Sequence, residues 1–435
     1  MKNSRVFWLT LGLLAVLTML MGFSVSAQDE DVTLVYWSMW NETEGQALVI
    51  QDWIEAFEAE YPNITIEAVW NGRQNQTLVR TALSAGTTID FVDQDADQIA
   101  GGLMTEGLGY PLNAYLETPD LDTGAPLREI FLPGTLEMFE VDGETYLLPY
   151  IYNTVQFWYS KGIFEEVGVE VPETWEDFLA VNDALREAGY APIAAEGNEP
   201  GYSTFYLANM VARVKGANFL LETAGDTTGE MWRDPVYLQT SEMLRELWDR
   251  EDIPPITLGY VWPNGQNTLA FGDAAMELVG SWLPIELANM VDDDFEWGGF
   301  NFPAVEGGEG SINDVNALLL SFMILNDTEH PDEAFEFLRF MMTEENQQMM
   351  ADESLVGVTR VDVAWSGAIA DAQAAASNAE ILYGDVGGIA GQYAEFLATV
   401  LWPNYMDLWQ GQSTPEEFVE TMATDAADYW AGKSD

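Results

Sequence analysis

The first part of the chain alternates between short apolar runs and amphipathic segments. Val32–Trp37 is a β-rich apolar run, typical of a strand that is buried on both faces. Residues 47–60 carry apolar side chains at the three-to-four spacing of a helix, and residues 64–70 alternate like a second strand. Residues 76–84 and 89–92 repeat the helix and strand patterns. Strand–helix–strand repetition at this spacing predicts βαβ units, and hence an α/β fold with a parallel sheet.

The later segments also separate into strands and helices, but no longer in strict alternation. Asp142-Gly143 is typical of a hairpin turn, and Thr174 is a candidate helix N-cap with Asp177 three residues on. At 435 residues the chain is long enough for two or three domains, and without a low-complexity linker their boundaries must fall in crossing strands. The predicted strands are 146–149, 155–159 and 318–325, and residues 276–282 are predicted as a strand that passes into a loop. The predicted helices are 175–188, 236–249 and 331–342, followed by a mostly helical region over 373–430.

The composition indicates a globular protein with a strongly acidic surface. The chain has 73 Asp and Glu against 15 Lys and Arg, a formal net charge of −58, yet 48% of its residues are hydrophobic. Disorder requires low hydrophobicity as well as high net charge, so the chain can form real cores. The charge repels phosphate backbones and anionic lipid headgroups, which argues against nucleic-acid and membrane-surface partners. We interpret most of the acidic side chains as part of a solvated surface.

Cysteine and histidine usage excludes several kinds of chemistry. The chain has no cysteine, which excludes disulfides, thiolate nucleophiles and Cys-ligated metals. Its one histidine, His330, lies in a polar segment that ends in proline and that we interpret as the approach to a helix. A Ser/His/Asp triad or a two-histidine metal site would need more than this. We predict no catalytic residue, no cofactor and no metal site.

The N-terminus has the three parts of a secretory signal. Lys2 and Arg5 form a basic start, residues 6–23 form an apolar run, and Val25-Ser26-Ala27 provides the small residues of a cleavage site. This order predicts a signal peptide over residues 1–27, cleaved after Ala27, and an extracytoplasmic, secreted or periplasmic protein. The alternative is an uncleaved membrane anchor, because the run approaches spanning length. Without cysteine, a lipid anchor of the usual kind is not expected.

Several motifs follow one another in order along the chain. Residues 34–40 join the first strand to a polar, Trp-containing loop. Residues 143–149 have the pattern G-x-x-Y-x-x-P, and residues 157–161 the pattern x-x-Y-S-K. Further patterns are P-x-T-W-E-D over 172–177, A-F-x-D-A-A-M over 270–276 with G-S-W over 280–282, the helix start 330–338, and T-E-E-x-Q over 343–347.

These segments resemble the family 1 extracellular solute-binding proteins of ABC importers, the group that includes the maltodextrin-binding proteins. The chain departs from the family pattern in lacking a lipidation cysteine, in carrying Ser160 where asparagine is usual, and in an extra acidic loop over 93–97. The resemblance implies a two-lobe, periplasmic-binding-protein-like fold of type II, with a ligand cleft between the lobes and a multi-strand hinge. It also implies a monomer that docks on the permease subunits of an ABC transporter. The predicted lobes are residues 28–149 plus 304–338, and residues 150–303 plus 339–435.

Candidate ligand-binding residues follow from this arrangement and from the chemistry of sugars. Flat aromatic side chains cover the apolar C–H faces of a sugar, and carboxylates and amides hydrogen-bond its hydroxyls. Any one of these aromatic residues could instead be core, and the 93–97 loop could be a solvated turn or a calcium ligand. The candidates are Trp40, Asn41 and Glu42 after the first strand, Asp93 and Asp95 after the third, Asn153 in the crossing segment, Tyr202 and Phe205, Trp282, Asp314 and Asn316, and Tyr393, Phe396 and Trp402.

Three functions remain open from the sequence. The first is an ABC-transporter receptor that binds a carbohydrate, in particular an oligosaccharide, by aromatic stacking and hydrogen bonds. The second is a binding protein for a non-sugar solute such as a polyamine, a peptide, a metal chelate or a polyol phosphate, and a cationic ligand would suit the acidic chain. The third is a secreted glycoside hydrolase with two catalytic carboxylates, which needs neither histidine nor cysteine.

Overall fold

The computed structural model describes residues 31–292 and 294–433, so the predicted signal segment over residues 1–27 lies outside the described part. The strands are β1 (Val32–Ser38), β2 (Ile64–Trp70), β3 (Phe91–Asp95), β4 (Leu148–Ser160), β5 (Ala191–Ala194), β6 (Ala274–Gly280), β7 (Trp297–Phe300), β8 (Val315–Ile324) and β9 (Leu382–Tyr383). The α-helices are Gly45–Glu60, Asn75–Ser84, Ala96–Ile99, Asn113–Leu116, Lys161–Val167, Trp175–Ala188, Pro200–Lys215, Phe219–Ala224, Pro235–Asp249, Asn264–Ala270, Leu283–Glu286, Pro331–Met341, Glu344–Glu353, Ala370–Ser377, Ile389–Gln392, Ala394–Phe396, Trp402–Trp409 and Pro415–Lys433.

The described strands form one mixed sheet in which two long strands cross between its halves. The order is β2-β1-β3-β8-β4-β6-β5, with β7 beside β4 and β9 beside β8. β1 is parallel to β2 and β3, as the βαβ pattern predicts. β8 pairs with β3 on one side and with the first half of β4 on the other, whereas the second half of β4 pairs with β6 and β7. These two strands therefore carry the chain from one half of the molecule to the other.

Helix ends follow local rules that the sequence makes visible. Thr174 Oγ1 accepts a hydrogen bond from the Asp177 N–H at 3.2 Å, and Gly189 closes the same helix at φ 100°. The helix over 175–188 therefore begins and ends as predicted. Ser160 caps the preceding helix in the same way, because its hydroxyl accepts from the Ile163 N–H. Serine at this position thus starts the helix Lys161–Val167.

Two hydrophobic cores define two lobes. The first core gathers residues from β1, β2, β3 and the helices over 45–60 and 331–341, and the second gathers the helices over 175–249 and 396–426. The described α/β architecture agrees with the predicted fold class.

The packing divides the chain differently from the predicted boundary at residue 339. The segment from Met341 to Trp365 packs into the first core, although the prediction assigned it to the second lobe, whereas the helix Ala370–Ser377 contacts β7 in the other half of the sheet. The reason is Arg360, which is fully buried and whose guanidinium lies 2.7 Å from both the Met342 carbonyl and an Asp122 carboxylate oxygen. These contacts hold the segment against the first lobe, and the chain passes to the second core only near Tyr383.

The predicted helical region over 373–430 is interrupted. Between β9 and the helix Ile389–Gln392 the backbone makes a tight turn in which Val386, Gly387 and Gly388 have φ of 47°, 69° and 93°. This left-handed stretch brings residues 384–391 against the helix that begins at Ala96. In the residues that the structure describes, no helix is both long and apolar enough to cross a membrane.

Candidate ligand-binding cleft

A cleft of about 750 Å³ opens between the lobes, over the strands that cross between them. Its floor is apolar and comes from Ile151 on β4, Leu318–Leu320 on β8, and Val356. The cleft lies within the range of volumes typical of small-molecule sites. Because its floor is made by the crossing strands, any bending of these strands changes the distance between its walls.

The first lobe contributes Trp40, which follows β1 directly. Its indole Nε1 donates a 2.8 Å hydrogen bond to the Tyr150 hydroxyl, and only 6% of the residue is exposed. The guanidinium carbon of Arg73 lies 4.8 Å from the centre of the indole ring. Arg73 in turn pairs with Glu44 at 3.0 Å. Trp40 is thus fixed in orientation at the wall of the cleft.

The second lobe contributes a cluster of aromatic side chains. Trp282 lies 6.3 Å from Tyr202 and 6.5 Å from Phe205, measured between ring centres, and all three line the cleft. Gly280 is required for this arrangement, because a Cβ at that position would overlap the Trp282 ring. The cleft is therefore bounded by large aromatic faces on both lobes.

Polar groups are placed beside these aromatic residues. Asn153, on the crossing strand β4, lines the cleft, and its Oδ1 accepts a 3.1 Å hydrogen bond from the Ser281 hydroxyl. Ser281 immediately precedes Trp282, so this bond ties the crossing strand to the aromatic wall. Asp95 lines the cleft at the end of β3, where Gln98 Nε2 donates to its carboxylate at 3.0 Å. Both side chains present hydrogen-bonding groups to the cleft.

Several cleft carboxyl groups have raised pKa values. Burial raises the pKa of Asp95, which Arg73 partly offsets. Burial also raises the pKa of Asp97, with a further increase from the charge of Asp385. The pKa of Asp385 is raised to about 7 by burial and by the charge of Asp95. Burial likewise raises the pKa of Glu286, which accepts a 3.1 Å hydrogen bond from Gln266.

Asp93 lies inside the protein, which corrects the prediction that it contacts ligand. It belongs to β3 and is fully buried. Its carboxylate accepts hydrogen bonds from the Tyr36 hydroxyl at 2.9 Å, the Met39 N–H at 3.1 Å and the Tyr150 hydroxyl at 2.8 Å. Burial raises its pKa to about 6, although these hydrogen bonds oppose the rise. Asp93 therefore fixes the loop that carries Trp40, through its bond to the Met39 N–H. It also fixes Tyr150 on β4, whose hydroxyl accepts the hydrogen bond from the Trp40 indole.

Four other polar candidates lie outside the lining of the cleft. Asn41 and Glu42 are exposed, and the Asn41 amide donates to Glu44. Asp314 is buried and accepts from the Ser311 N–H, and Asn316 donates to the carbonyl oxygens of Tyr383 and Gly384. Asp314 and Asn316 thus bond the backbone of neighbouring loops, whereas Asn41 and Glu42 lie on the exposed part of the loop after β1.

The three C-terminal aromatic candidates are also absent from the lining of the cleft. Phe396 is fully buried in the second core, stacked at 6.3 Å on Trp232. Tyr393 lines a different cavity, of about 830 Å³, which shares Asp97 with the cleft. Trp402 begins the helix Trp402–Trp409 and packs against the second core. The interrupted helical region moves these residues away from where an unbroken helix would place them.

Other cleft residues were not singled out from the sequence. Trp262 is 48% exposed, and Glu286 lies close enough to its indole nitrogen for a long 3.4 Å hydrogen bond. The segment around Trp262 is rich in proline and glycine, which could have marked it as a surface loop with a large aromatic. The remaining polar residues of the cleft that were missed are Glu44, Gln46, Arg73, Gln98, Glu199 and Asp385, whereas Asp97 belongs to the acidic loop that the sequence pointed to. Across residues 31–292 and 294–433 no group of three or more acidic or histidine side chains is arranged to hold a metal ion.

Fold and cleft together define a two-lobe receptor for a small solute. The family of bacterial extracellular solute-binding proteins matches residues 40–348, and the chain belongs to this family. The predicted family and fold are therefore confirmed.

Individual relatives are distant but match over most of their length. An uncharacterised ABC transporter extracellular-binding protein of Pyrococcus horikoshii is 26% identical over 336 residues, 72% of this chain and 70% of the relative. The multiple sugar-binding protein of Streptococcus mutans is 24% identical over 75% of this chain and 74% of its own. Among solved structures, a chitin oligosaccharide binding protein aligns with a TM-score of 0.71 and 24% identity over 92% of this chain and 99% of its own.

Proposed function

We propose that this protein is the carbohydrate receptor of an ABC importer and that it binds an oligosaccharide in the cleft between its lobes. The observation that carries the proposal is the placement of Trp40 on one lobe opposite the Tyr202–Trp282 cluster on the other, with polar side chains between. Sugar rings have flat apolar faces edged by hydroxyls, and this combination of aromatic and polar groups matches them.

The names of the relatives support a sugar ligand. The Streptococcus mutans relative is a multiple sugar-binding protein, and a relative from Halalkalibacterium halodurans is an arabinooligosaccharide-binding protein. The receptor captures its ligand outside the cytoplasmic membrane and delivers it to permease subunits, acting as a monomer and without catalysis. Export by a cleaved signal peptide over residues 1–27, with no lipid anchor, is part of the same proposal.

Ligand capture is coupled to closure of the lobes. A ligand favours the closed state only through contacts that it makes better there. Trp40 and Trp282 approach a bound ring from opposite lobes, so both stack on it only when the cleft is narrow. β4 and β8 form the hinge, because they alone among the described strands pair across both halves of the sheet.

Isothermal titration calorimetry tests the proposal. The full protein is titrated with malto-, xylo-, manno-, gluco- and chitin oligosaccharides, and at least one of them is expected to bind with measurable heat. Trp282→Ala is expected to weaken that binding by about tenfold or more, since removing a large aromatic contact at a binding site costs roughly 1–2 kcal/mol.

The control is Phe271→Ala, because Phe271 is 66% exposed and does not line the cleft. This variant should bind as the wild type does. Absence of heat with every sugar in a folded sample, or equal binding by the Trp282 variant, would overturn the proposal.

A further inference from the structure

Two carboxyl groups from opposite lobes meet at one end of the cleft. Asp97 lies on the short helix after β3, and Asp385 lies on the tight turn after β9. Both line the cleft, and the Asp385 N–H lies 3.5 Å from Asp97 Oδ2. Like charges from the two lobes therefore face each other where the lobes come together.

Each of these carboxyl groups has an oxygen that lacks a protein partner. Asp97 is only 5% exposed, and its Oδ1 receives no hydrogen bond from any described residue. The Oδ1 atom of Asp385 is likewise buried and unbonded within the described part of the chain. Buried polar atoms are nearly always satisfied, so two open acceptors side by side at a cleft point to a donor that the protein itself does not supply.

The protein places no cation at this end of the cleft. Among the described residues that line it, the one basic side chain is Arg73, which is engaged by Glu44 at 3.0 Å. The acidic side chains of the lining are Glu44, Asp95, Asp97, Glu199, Glu286 and Asp385. The lining therefore carries six carboxyl groups against one basic side chain, and this balance favours a positive ligand.

Two glycines let the backbone of the second lobe approach the Asp97 carboxyl closely. A Cβ on Gly384 would lie 2.7 Å from Asp97 Oδ1, and one on Gly391 would lie 3.1 Å from it. Any other residue at these positions would fill the space next to the unbonded oxygen. At these two positions the chain thus meets Asp97 with glycine backbone, and neither residue has a side chain that could donate to the unbonded oxygen.

We propose that the ligand carries a protonated amino group, which binds between Asp97 and Asp385, and that the ligand is an amino-sugar oligomer. This inference rests on the proposed function, because the aromatic walls hold the sugar rings. An ammonium group offers three donors to the two open acceptors, and its single positive charge is attracted to both carboxyl groups. The aromatic walls favour a ring-bearing ligand over a linear polyamine, since rings stack on Trp40 and Trp282.

Calorimetry with matched ligands tests the inference on the full chain. The probes are a glucosamine tetramer, the N-acetylglucosamine tetramer of the same length, and spermidine. The glucosamine tetramer is expected to bind at least about tenfold more tightly than its acetylated form, since acetylation removes the charge and one charge-assisted contact contributes about that factor.

Three other calorimetric results would contradict this inference, and one of them would also contradict the proposed function. If neutral oligosaccharides bind and the glucosamine tetramer is no tighter, the inference fails and the proposed function stands. If no carbohydrate binds, with or without an amino group, the proposed function fails and this inference fails with it. If spermidine binds more tightly than the glucosamine tetramer, the assignment to an amino sugar is overturned.

Substitutions of Asp385 and Asp97 test where the amino group of the ligand binds. Asp385→Asn is expected to weaken glucosamine-tetramer binding by about tenfold while changing binding of the acetylated tetramer by less than about twofold. Asp97→Asn should do the same, and Asp385 provides the second test if that buried variant does not fold. Glu67→Gln removes one charge from an exposed position on β2 and should leave both affinities unchanged. Equal losses for both tetramers in Asp385→Asn would contradict an amine site there.

Discussion

At the scale of single residues, depth along a strand decides which acid lines the cleft. Asp93 and Asp95 are two residues apart on β3 and point to the same face of the sheet. Asp93 is covered by Tyr36 and Tyr150 and is fully bonded, whereas Asp95 stands at the strand end and lines the cleft. The sequence pattern located the acidic stretch correctly. It could not show how far β3 extends, because that depends on pairing with β8.

Replacing Asp93 should destabilise the protein. The Asp93 carboxylate accepts hydrogen bonds from three donors, and Asp93→Asn replaces one of its two accepting oxygens by an amide NH2 group, which donates. An unsatisfied buried donor costs about 1–3 kcal/mol of stability. Urea unfolding at pH 8 measures the loss. Asp52→Asn, on an exposed part of the first helix, serves as the control and should change stability by less than about 0.5 kcal/mol. Equal stability of the two variants would show that the buried network contributes nothing.

Asp385 should make stability fall as pH rises. Its pKa is raised to about 7 in the folded protein from an ordinary value near 3.8, so the folded state holds a proton that the unfolded state has released. Stability from this group is complete below about pH 4 and is lost as pH rises through about 7. Asp385→Asn removes the charged form, so it should be more stable than wild type at pH 8, by on the order of 1 kcal/mol.

Urea unfolding of wild type and Asp385→Asn at pH 4 and pH 8 checks this sign. The difference should be near zero at pH 4 and in favour of the variant at pH 8. A variant that is less stable than wild type at pH 8 would show that the Asp385 charge is compensated in the folded protein.

At the scale of elements, one strand end and its glycine set the aromatic wall. β6 ends at Gly280, and the chain then turns so that Trp282 folds back over that glycine. Ser281, between them, bonds Asn153 on the crossing strand. The glycine–tryptophan pairing was visible in the sequence and predicted a stacking platform at this point. The hydrogen bond to the hinge strand was not visible, because it joins residues far apart in the chain.

Adding a single methyl group should displace this platform. Gly280→Ala places a Cβ where the Trp282 ring lies, so the indole must move and sugar affinity should fall by about tenfold or more. Calorimetry with the tightest ligand measures the effect, and circular dichroism verifies that the variant is folded. Gly162→Ala is the control, since its Cβ would meet only Ser160 Oγ at 3.8 Å. Unchanged affinity in Gly280→Ala would mean that Trp282 does not hold the ligand.

The C-terminal elements mark the limit of prediction from the sequence. Periodicity indicated helix over most of 373–430, and helices over 402–409 and 415–433 are present. The turn over 385–388 was not predicted, since its positive φ at Val386 is rare for a β-branched residue. That turn brings Asp385 to Asp97 and moves Tyr393 into another cavity. A local pattern carries no information on such a long-range approach.

At the scale of the whole molecule, the lobes are assembled from separated pieces of chain, and burial decides where each piece belongs. Length, alternation and motif order were enough to predict an α/β fold with two lobes and crossing strands. The lobe boundary was misplaced because Arg360 anchors the segment after residue 339 to the first core. The overall charge of −58 argued against anionic partners. The excess of carboxyl groups over basic side chains in the cleft points to a positively charged ligand.

The central claim is that ligand binds between Trp40 and Trp282. A crystal structure of the protein with its tightest oligosaccharide from the calorimetric panel tests this most directly. We predict a sugar ring within about 4 Å of the Trp40 and Trp282 rings, with hydroxyls bonded to Asp95 and Asn153. Ligand bound instead in the cavity lined by Phe139 and Tyr393, or on the outer surface, with the cleft empty, would contradict the account.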